Sequence, residues 1–162
     1  MIILGVDPGL ATLGYGVIEK QANGEFRMLD YGVVLTPKDE GLPVRLAMLE
    51  EGLQKVLEKH NPDEVAMEEL FFSKNITTGI AVAEARGIVL LAAAQQGLTV
   101  YDYSPNEIKK SLTGYGAATK AQMQEMVRTH LSLAQKPQPD DAADALAAAI
   151  EGQPHPWQPS VK

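Results

Sequence analysis

Short runs of β-branched and aliphatic residues alternate along this chain with longer stretches in which apolar residues recur every three or four positions. The short runs predict strands over residues 1–6, 14–18, 26–36, 64–69 and 98–103. The longer patterns predict helices over residues 43–60, 76–96, 119–131 and 140–151, with a short helix after Ser104-Pro105. Strands that are joined by crossover helices form a mixed sheet with helices on its faces, so the sequence predicts an α/β protein.

Turn residues define the start of this sheet. Pro8-Gly9 predicts a turn after the first strand, and Asn23-Gly24 predicts a hairpin between the second and third strands. The first three strands therefore form a predicted meander. The glycines of the GYGVI run at residues 14–18 indicate a place where another backbone approaches closely.

The length of 162 residues favours one domain, which we expect to span residues 1–152, followed by a loose tail at residues 153–162 that carries three prolines. The absence of cysteine excludes disulfides, zinc–thiolate sites and a cysteine nucleophile. The N-terminus lacks the basic segment of a signal peptide, and the apolar run at residues 87–94 is far shorter than the ~20 residues of a membrane span. We therefore expect a soluble, cytoplasmic protein.

The formal charge of −7 argues at first sight against a nucleic-acid partner, but the charge is unevenly distributed. Residues 37–69 hold 9 acidic and 4 basic side chains, a net charge of −5. Residues 70–136 hold 4 acidic and 7 basic side chains, a net charge of +3. Because local charge decides whether a polyanion binds, nucleic acid stays open as a partner beside an ordinary solvated acidic surface.

Four carboxylates fall where the predicted fold brings chain segments together. Asp7 and Glu68 end two strands, and ligand sites in such sheets lie at the carboxyl ends of central strands. Asp141 and Asp144 are three residues apart at the start of a helix and therefore share one face. Converging carboxylates repel one another unless cations bind, and oxygen ligands without cysteine suit Mg²⁺ or Mn²⁺.

Two such ions, ~3.5–4 Å apart, can stabilise the attacking and leaving oxygens of a phosphoryl displacement. Each acid also has an ordinary structural interpretation. Asp7 could cap a turn, Asp140 or Asp141 could be the N-cap of the last helix, and Asp144 could favour the helix dipole. Only the four acids together indicate metal-dependent chemistry.

Four motifs, in order, resemble the RuvC family of Holliday-junction resolvases over almost the whole chain. They are ILGVDPGLATLGYGVI at 3–18, VAMEELFFSKN at 65–75, EARGIVLLAA at 84–93 and PDDAADALAAAI at 139–150. The resemblance implies an RNase H-like fold, here a mixed five-stranded sheet flanked by helices. It also implies a Mg²⁺-dependent endonuclease that makes two symmetric nicks in four-way junctions during recombination and repair, with two ions per site and Mn²⁺ as a substitute.

The resemblance also assigns roles to individual residues. The catalytic and metal-binding carboxylates match Asp7, Glu68, Asp141 and Asp144. Phe71 matches an aromatic residue that engages unstacked bases, although a core position after the strand is the ordinary alternative. Lys109 and Lys120 match lysines that would pair with phosphates near the cleft. Further candidates for contact with DNA are Lys74, Arg86, Lys110 and Arg128.

The family implies a homodimer, which suits a junction that needs two nicks in strands of like polarity. The long helix that begins near residue 76 is the candidate interface. The family further implies the branch-migration complex RuvA and RuvB as partners on the same junction, and a bacterial cytoplasm.

Three other functions fit parts of the sequence. They are a YqgF-type nuclease acting on structured RNA, an actin-like sugar kinase or ATPase, and a non-catalytic module that binds junctions. The intact motifs at residues 65–75 and 139–150 argue against the first, and the short chain argues against the second. The four retained acids argue against the third.

Overall fold

The computed structural model describes residues 1–70 and 76–151, with residues 76–78 described by their backbone alone. Within these residues, five strands form one sheet: β1 (Ile2–Asp7), β2 (Thr12–Lys20), β3 (Phe26–Leu35), β4 (Glu64–Glu68) and β5 (Thr99–Tyr103). Five helices surround the sheet: α1 (Leu42–His60), α2 (Ile76–Gln95), α3 (Pro105–Thr113), α4 (Lys120–His130) and α5 (Asp140–Ile150). The order of elements is the one that the sequence predicted.

The strands lie side by side in the order β3-β2-β1-β4-β5. β1, β2 and β3 pair antiparallel, which confirms the predicted meander, whereas β4 runs parallel to both β1 and β5. Parallel neighbours end at the same edge of a sheet, and Val6 of β1 stands beside Met67 of β4. Asp7 and Glu68, which follow these two residues, therefore end neighbouring strands.

Side chains of each strand alternate between the two faces of the sheet. On one face, Ile3 of β1 and Ala66 of β4 are buried in a core with side chains of α3, α4 and α5. On the other face, Leu4 and Val65 are buried in a second core with side chains of α1 and α2. Helices therefore cover both faces of the sheet, which is the predicted mixed α/β architecture.

Glycines let α5 lie directly on the backbone of the sheet. Gly5 of β1 pairs with Gly16 of β2, and a Cβ atom on Gly5 would overlap the carbonyl oxygen of Ala145 in α5. A Cβ atom on Gly16 would lie 2.6 Å from Cγ of Leu146. The prediction that the glycines of the GYGVI run mark a close backbone approach is confirmed, and α5 is the approaching element.

In the part of the chain that the structure describes, no helix is long and apolar enough to cross a membrane. The predicted tail at residues 153–162 and the predicted DNA contact Phe71 both lie outside the described residues.

Candidate active site

Asp7 and Glu68 lie on the face of the sheet that α5 covers. Strand alternation places Asp7 on the same face as Ile3 and Gly5, whose neighbours are side chains and backbone of α5. The same alternation places Glu68 on the face of Ala66. The two carboxylates that the sequence predicted at the ends of parallel strands therefore point toward a common helix.

That helix contributes the other two predicted acids. Gly14 of β2 stands opposite Asp7 in the register of β1 and β2, and a Cβ atom on Gly14 would overlap the backbone carbonyl of Asp141. The start of α5 therefore sits over the end of β1. Asp144, one helical turn after Asp141, shares its side of the helix. The structure thus brings all four predicted carboxylates to one edge of the sheet.

The charges of these acids act on one another, most strongly at Asp7. Burial, followed by repulsion from Asp144, Asp141 and Glu68, raises the pKa of Asp7 to about 7. Burial and the charge of Asp144 also raise the pKa of Glu68. Burial is likewise the largest cause that raises the pKa of Asp144. Negative charge is therefore unfavourable at this edge unless a cation compensates it.

Lys120 supplies one such positive charge. It is the first residue of α4, whose start is fixed by a capping box between Thr119 and Gln122. Its Nζ atom lies 3.1 Å from Oδ2 of Asp144 and 3.4 Å from Oδ2 of Asp140. The pKa of Lys120 is raised. Burial acts to lower it, but the hydrogen bond to Asp144 and the charges of Asp144 and Asp140 outweigh burial.

Lys109, which lies on α3, is a second lysine beside the carboxylates. A cavity of about 220 Å³ borders α3, α4 and α5, and its charged lining consists of Glu68, Lys109, Lys120 and Asp144. The charge of Lys109 acts to lower the pKa of Glu68, in opposition to burial and to Asp144. Both predicted lysines therefore border the carboxylates, and Lys109 is carried there by α3, whose N-terminus is fixed by the predicted N-cap, Ser104.

The donor set fits a hard divalent cation, because it consists of carboxylate oxygens that raise one another's pKa. Among residues 1–70 and 76–151, however, no three acidic or histidine side chains stand close enough to hold an ion in the conformation observed. The ammonium group of Lys120 is paired with Asp144 in this conformation. Cation binding would therefore require the side chains of the four acids to adopt other positions than those observed.

Comparison with known proteins decides the family. The family of the crossover junction endodeoxyribonuclease RuvC matches residues 3–152. The chain belongs to the RuvC family. A crossover junction endodeoxyribonuclease RuvC of Clostridioides difficile is 51% identical over 150 residues, which cover 93% of this chain and 88% of the relative. That of Chloroflexus aggregans is 52% identical over 150 residues, which cover 93% of this chain and 91% of the relative.

A solved structure agrees with the sequence comparisons. Thermus thermophilus RuvC in complex with a Holliday junction substrate matches with a TM-score of 0.91 and 36% identity, over 97% of this chain and 99% of that chain. The fold is therefore the RNase H-like fold that the resemblance predicted, and the predicted endonuclease class is confirmed. Nucleases of the RuvC family depend on metal ions.

The sequence predicted a role in DNA contact for Arg86, and the structure contradicts it. Arg86 of α2 is buried, with 7% of its surface exposed. Its Nη1 atom donates to the backbone carbonyl of Glu68 at 2.9 Å, and its Nη2 atom pairs with Asp102 of β5. Asp102 lies on the α2 face of the sheet because it alternates with Tyr103, which lies in the core with α5. Arg86 therefore anchors the end of β4 within this RuvC fold and is not free to reach a phosphate.

Asp140 was left outside the predicted site, and it takes part in the ion pairs there. Pro139, not Asp140 or Asp141, is the N-cap of α5, so the suggested capping role of these acids is wrong. Both acids lie in the first helical turn, where Asp140 accepts a hydrogen bond from Gln124 at 2.8 Å and pairs with Lys120. The predicted helix over residues 140–151 had already placed both acids at the start of α5.

The remaining candidates for contact with DNA differ in their surroundings. Arg128 is partly exposed and is paired with Glu125 and the backbone carbonyl of Leu133. Lys110 is exposed on α3. Lys74 lies outside the described residues.

Proposed function

We propose that this protein resolves four-way DNA junctions by hydrolysing one phosphodiester bond in each of two strands. The single observation that carries the proposal is the convergence of four carboxylates around Asp7, from β1, β4 and α5, in a chain of the RuvC family. The substrate class is supported by the Thermus thermophilus relative, which was solved in complex with a Holliday junction substrate.

Asp7, Glu68, Asp141 and Asp144 are the proposed ligands of two Mg²⁺ ions, with Mn²⁺ as a substitute. When bound, such ions lower the pKa of water and stabilise the leaving oxygen of a phosphodiester. Asp7 is the proposed central ligand, because the charges of the other three acids act on it. Glu68, Asp141 and Asp144 would supply the other carboxylate oxygens.

Lys109 and Lys120 are proposed to bind phosphates beside the scissile bond. Both line the cavity that also contains Glu68 and Asp144. The Nζ atom of Lys120 now pairs with Asp144, and its side chain is 54% exposed. In the proposed role, Lys120 would exchange the carboxylate of Asp144 for a phosphate, while Asp140 would remain a nearby partner. Phe71, which follows Glu68 by three residues, is proposed to stack on unpaired bases.

A homodimer is proposed through the outward surface of α2. Ile80 and Leu91 are each 51% exposed, and Gly87 between them has no atom within 4 Å of its Cβ position. At seven and eleven residues after Ile80, Gly87 and Leu91 lie on the same side of a helix. A two-fold axis at this apolar surface would place two active sites on one junction. We further propose that the branch-migration proteins RuvA and RuvB share this junction, in a bacterial cytoplasm.

The test uses a labelled synthetic four-way junction and compares Mg²⁺, Mn²⁺ and EDTA. We expect paired symmetric nicks that require the metal. Asp7→Asn should abolish the nicks while junction binding survives, because the amide keeps the shape but loses the charge that holds cations. Glu58→Gln, an exposed acid on α1, is the matched control and should cut normally. Binding without nicks under all conditions, or faster cutting of structured RNA than of the junction, would overturn the proposal.

A further inference from the structure

A second cavity lies at the same edge of the sheet and reaches the carboxylate site at Asp141. Its volume is about 650 Å³, and its charged lining consists of Lys38, Arg45 and Asp141. The turn that follows β1 and the first residue of β2, together residues 9–12, form another part of its wall. Lys38 and Arg45 come from the chain that leaves β3 and enters α1, whereas Lys109 follows β5 at the far end of the strand order.

Arg45 is oriented within this cavity by a chain of hydrogen bonds. Its Nε atom donates to Oγ1 of Thr36 at 2.9 Å, and that hydroxyl donates to the backbone carbonyl of Leu10 at 2.6 Å. The backbone N–H of Thr36 also donates to the carbonyl of Ala11 at 3.1 Å. Thr36 is only 6% exposed, so it fixes the guanidinium relative to the turn after Asp7.

The two cations are available for a ligand. Within residues 1–70 and 76–151, no carboxylate lies within ion-pair distance of Lys38 or of Arg45. This is notable because residues 37–69 carry a net charge of −5, so acidic side chains are abundant nearby in sequence. The fold therefore places the acids of this segment elsewhere and leaves two positive charges beside the carboxylate edge.

We propose that Lys38 and Arg45 bind the phosphate backbone of the DNA strand where it leaves the active site on the β3 side. The inference rests on the proposed function and adds to it a second set of phosphate contacts. Lys109 and Lys120 hold phosphates on the β5 side of the four acids, and Lys38 and Arg45 hold them on the other. A planar guanidinium that is already oriented suits a phosphate, because it can donate two parallel hydrogen bonds.

The experiment measures binding of a fluorescent four-way junction in EDTA, from 50 to 200 mM salt, for the unmodified protein and three variants. The variants are Lys38→Ala, Arg45→Gln and the pair together. Each lost phosphate contact should lower the slope of log affinity against log salt by ~0.7–0.9, which corresponds to a roughly five- to eightfold loss of affinity at 0.1 M salt. The double variant should show about twice the change in slope.

Lys55→Ala is the matched control, since Lys55 lies on α1 as Arg45 does and is 71% exposed in a pair with Glu51. It should keep the slope of the unmodified protein. Arg45→Gln removes the hydrogen bond to Thr36, and thermal unfolding would reveal whether this loss destabilises the protein. Lys38 is exposed, so Lys38→Ala tests the site even if Arg45→Gln is destabilised. Equal slopes in all variants, with junction nicking intact, would overturn the second phosphate site alone. Failure of the unmodified protein to bind the junction would overturn the proposed function as well.

Discussion

Asp7 is a residue of the candidate active site whose negative charge lowers the stability of the folded protein. The pKa of an aspartate in an unfolded chain is ~3.9, and burial followed by the neighbouring carboxylates raises that of Asp7 to about 7 in the folded protein. Because of this raised pKa, Asp7 stays protonated up to a higher pH in the folded state than in the unfolded state. Stability contributed by protonated Asp7 is therefore lost as the pH rises from ~4 to about 7, and the charged form opposes folding above that range.

Asp7→Asn should for this reason stabilise the protein at pH 8 in EDTA, by on the order of 1 kcal/mol or more in the free energy of unfolding. Saturating Mg²⁺ should stabilise the unmodified protein, by ~2.7 kcal/mol at a hundred times its Kd. It should stabilise the variant far less. Urea unfolding with and without Mg²⁺ measures both effects. An equal response of the two proteins to Mg²⁺ would remove Asp7 from the cation site.

Arg86 is the residue whose replacement we expect to cost most stability near the site. Its side chain is 8% exposed and that of its partner Asp102 is 16% exposed. Arg86→Met should lower the free energy of unfolding by roughly 3–5 kcal/mol, because it leaves the charge of Asp102 buried without a partner. Combining it with Asp102→Leu should restore much of that loss. If the double variant is no more stable than the single one in urea unfolding, the buried charge is not the cause.

At the scale of elements, the placement of α5 depends on glycines in the strands beneath it. Gly5→Ala should destabilise the protein by several kcal/mol and reduce cleavage, because the new methyl group overlaps the carbonyl of Ala145 and must push α5, with its two acids, away from β1. Gly41→Ala is the control. Its nearest neighbour would lie 3.9 Å from the new Cβ atom, and its φ of −68° suits any residue. We expect it to change stability by less than ~1 kcal/mol.

The C-terminus of α1 is joined to β3 by Asp30, whose Oδ2 atom lies 2.6 Å from Nζ of Lys59 and 2.9 Å from Nε2 of His60. Burial acts to raise the pKa of Asp30, but hydrogen bonds from Lys59 and His60 outweigh burial and lower it. Ionised Asp30 therefore stabilises the fold above the unfolded pKa of ~3.9, and this contribution is lost as the pH falls through the lower folded pKa.

Asp30→Asn should accordingly reduce the free energy of unfolding at pH 7. The free energy of unfolding of the variant should also decrease less than that of the unmodified protein as the pH falls. The measurement is the free energy of unfolding between pH 7 and pH 2 for the unmodified protein and the variant. Asp39→Asn, which alters an exposed acid, serves as the control and should leave the curve unchanged. A variant curve that runs parallel to that of the unmodified protein would show that Asp30 does not titrate in this range.

The elements themselves could be predicted from sequence because their signals are local. β-Branched runs bounded by glycine, proline and asparagine gave the five strands to within a few residues, and apolar spacing gave the helices. Ser104 could be recognised as an N-cap from its neighbour Pro105 alone. Pro139 was not recognised in that role, because aspartate side chains usually cap helices and two of them follow it.

The site was predictable only in part, for a physical reason. Strand ends and the three-residue spacing of Asp141 and Asp144 predict which carboxylates share an edge. Contacts between side chains on different elements leave no such periodic signal. Arg86 and Asp102 are 16 residues apart, and Thr36 follows β3 whereas Arg45 lies in α1, so their bonds follow from packing that the sequence pattern does not specify.

At the scale of the whole molecule, the apolar outer surface of α2 is the feature most in need of a partner. Leu91→Glu should convert the proposed dimer to a monomer, because it would bury two carboxylates near the two-fold axis. Light scattering coupled to size exclusion measures the mass. Leu35→Glu, at a position 63% exposed at the end of β3, is the control and should leave the mass unchanged. A monomeric unmodified protein would contradict the dimer outright.

The distribution of charge over the molecule decides whether its negative net charge opposes DNA binding. A charge of −7 would repel DNA if it were spread evenly. Instead the two cavities that border the carboxylates expose lysine and arginine side chains, and Asp30 and Glu51 are neutralised by lysines on α1. The field along the proposed path of the strand can therefore be attractive although the total charge is not.

The direct contact between the backbone of α5 and the glycines of β1 and β2 also affects which substitutions the protein tolerates. Where helices rest on side chains, every exchange of a core residue shifts the helix slightly. Here the separation between β1 and α5 is set by main-chain atoms, which substitution does not alter. Exchanges among the aliphatic residues of the two cores are therefore expected to leave this spacing unchanged, whereas any side chain at Gly5 or Gly14 would overlap the backbone of α5.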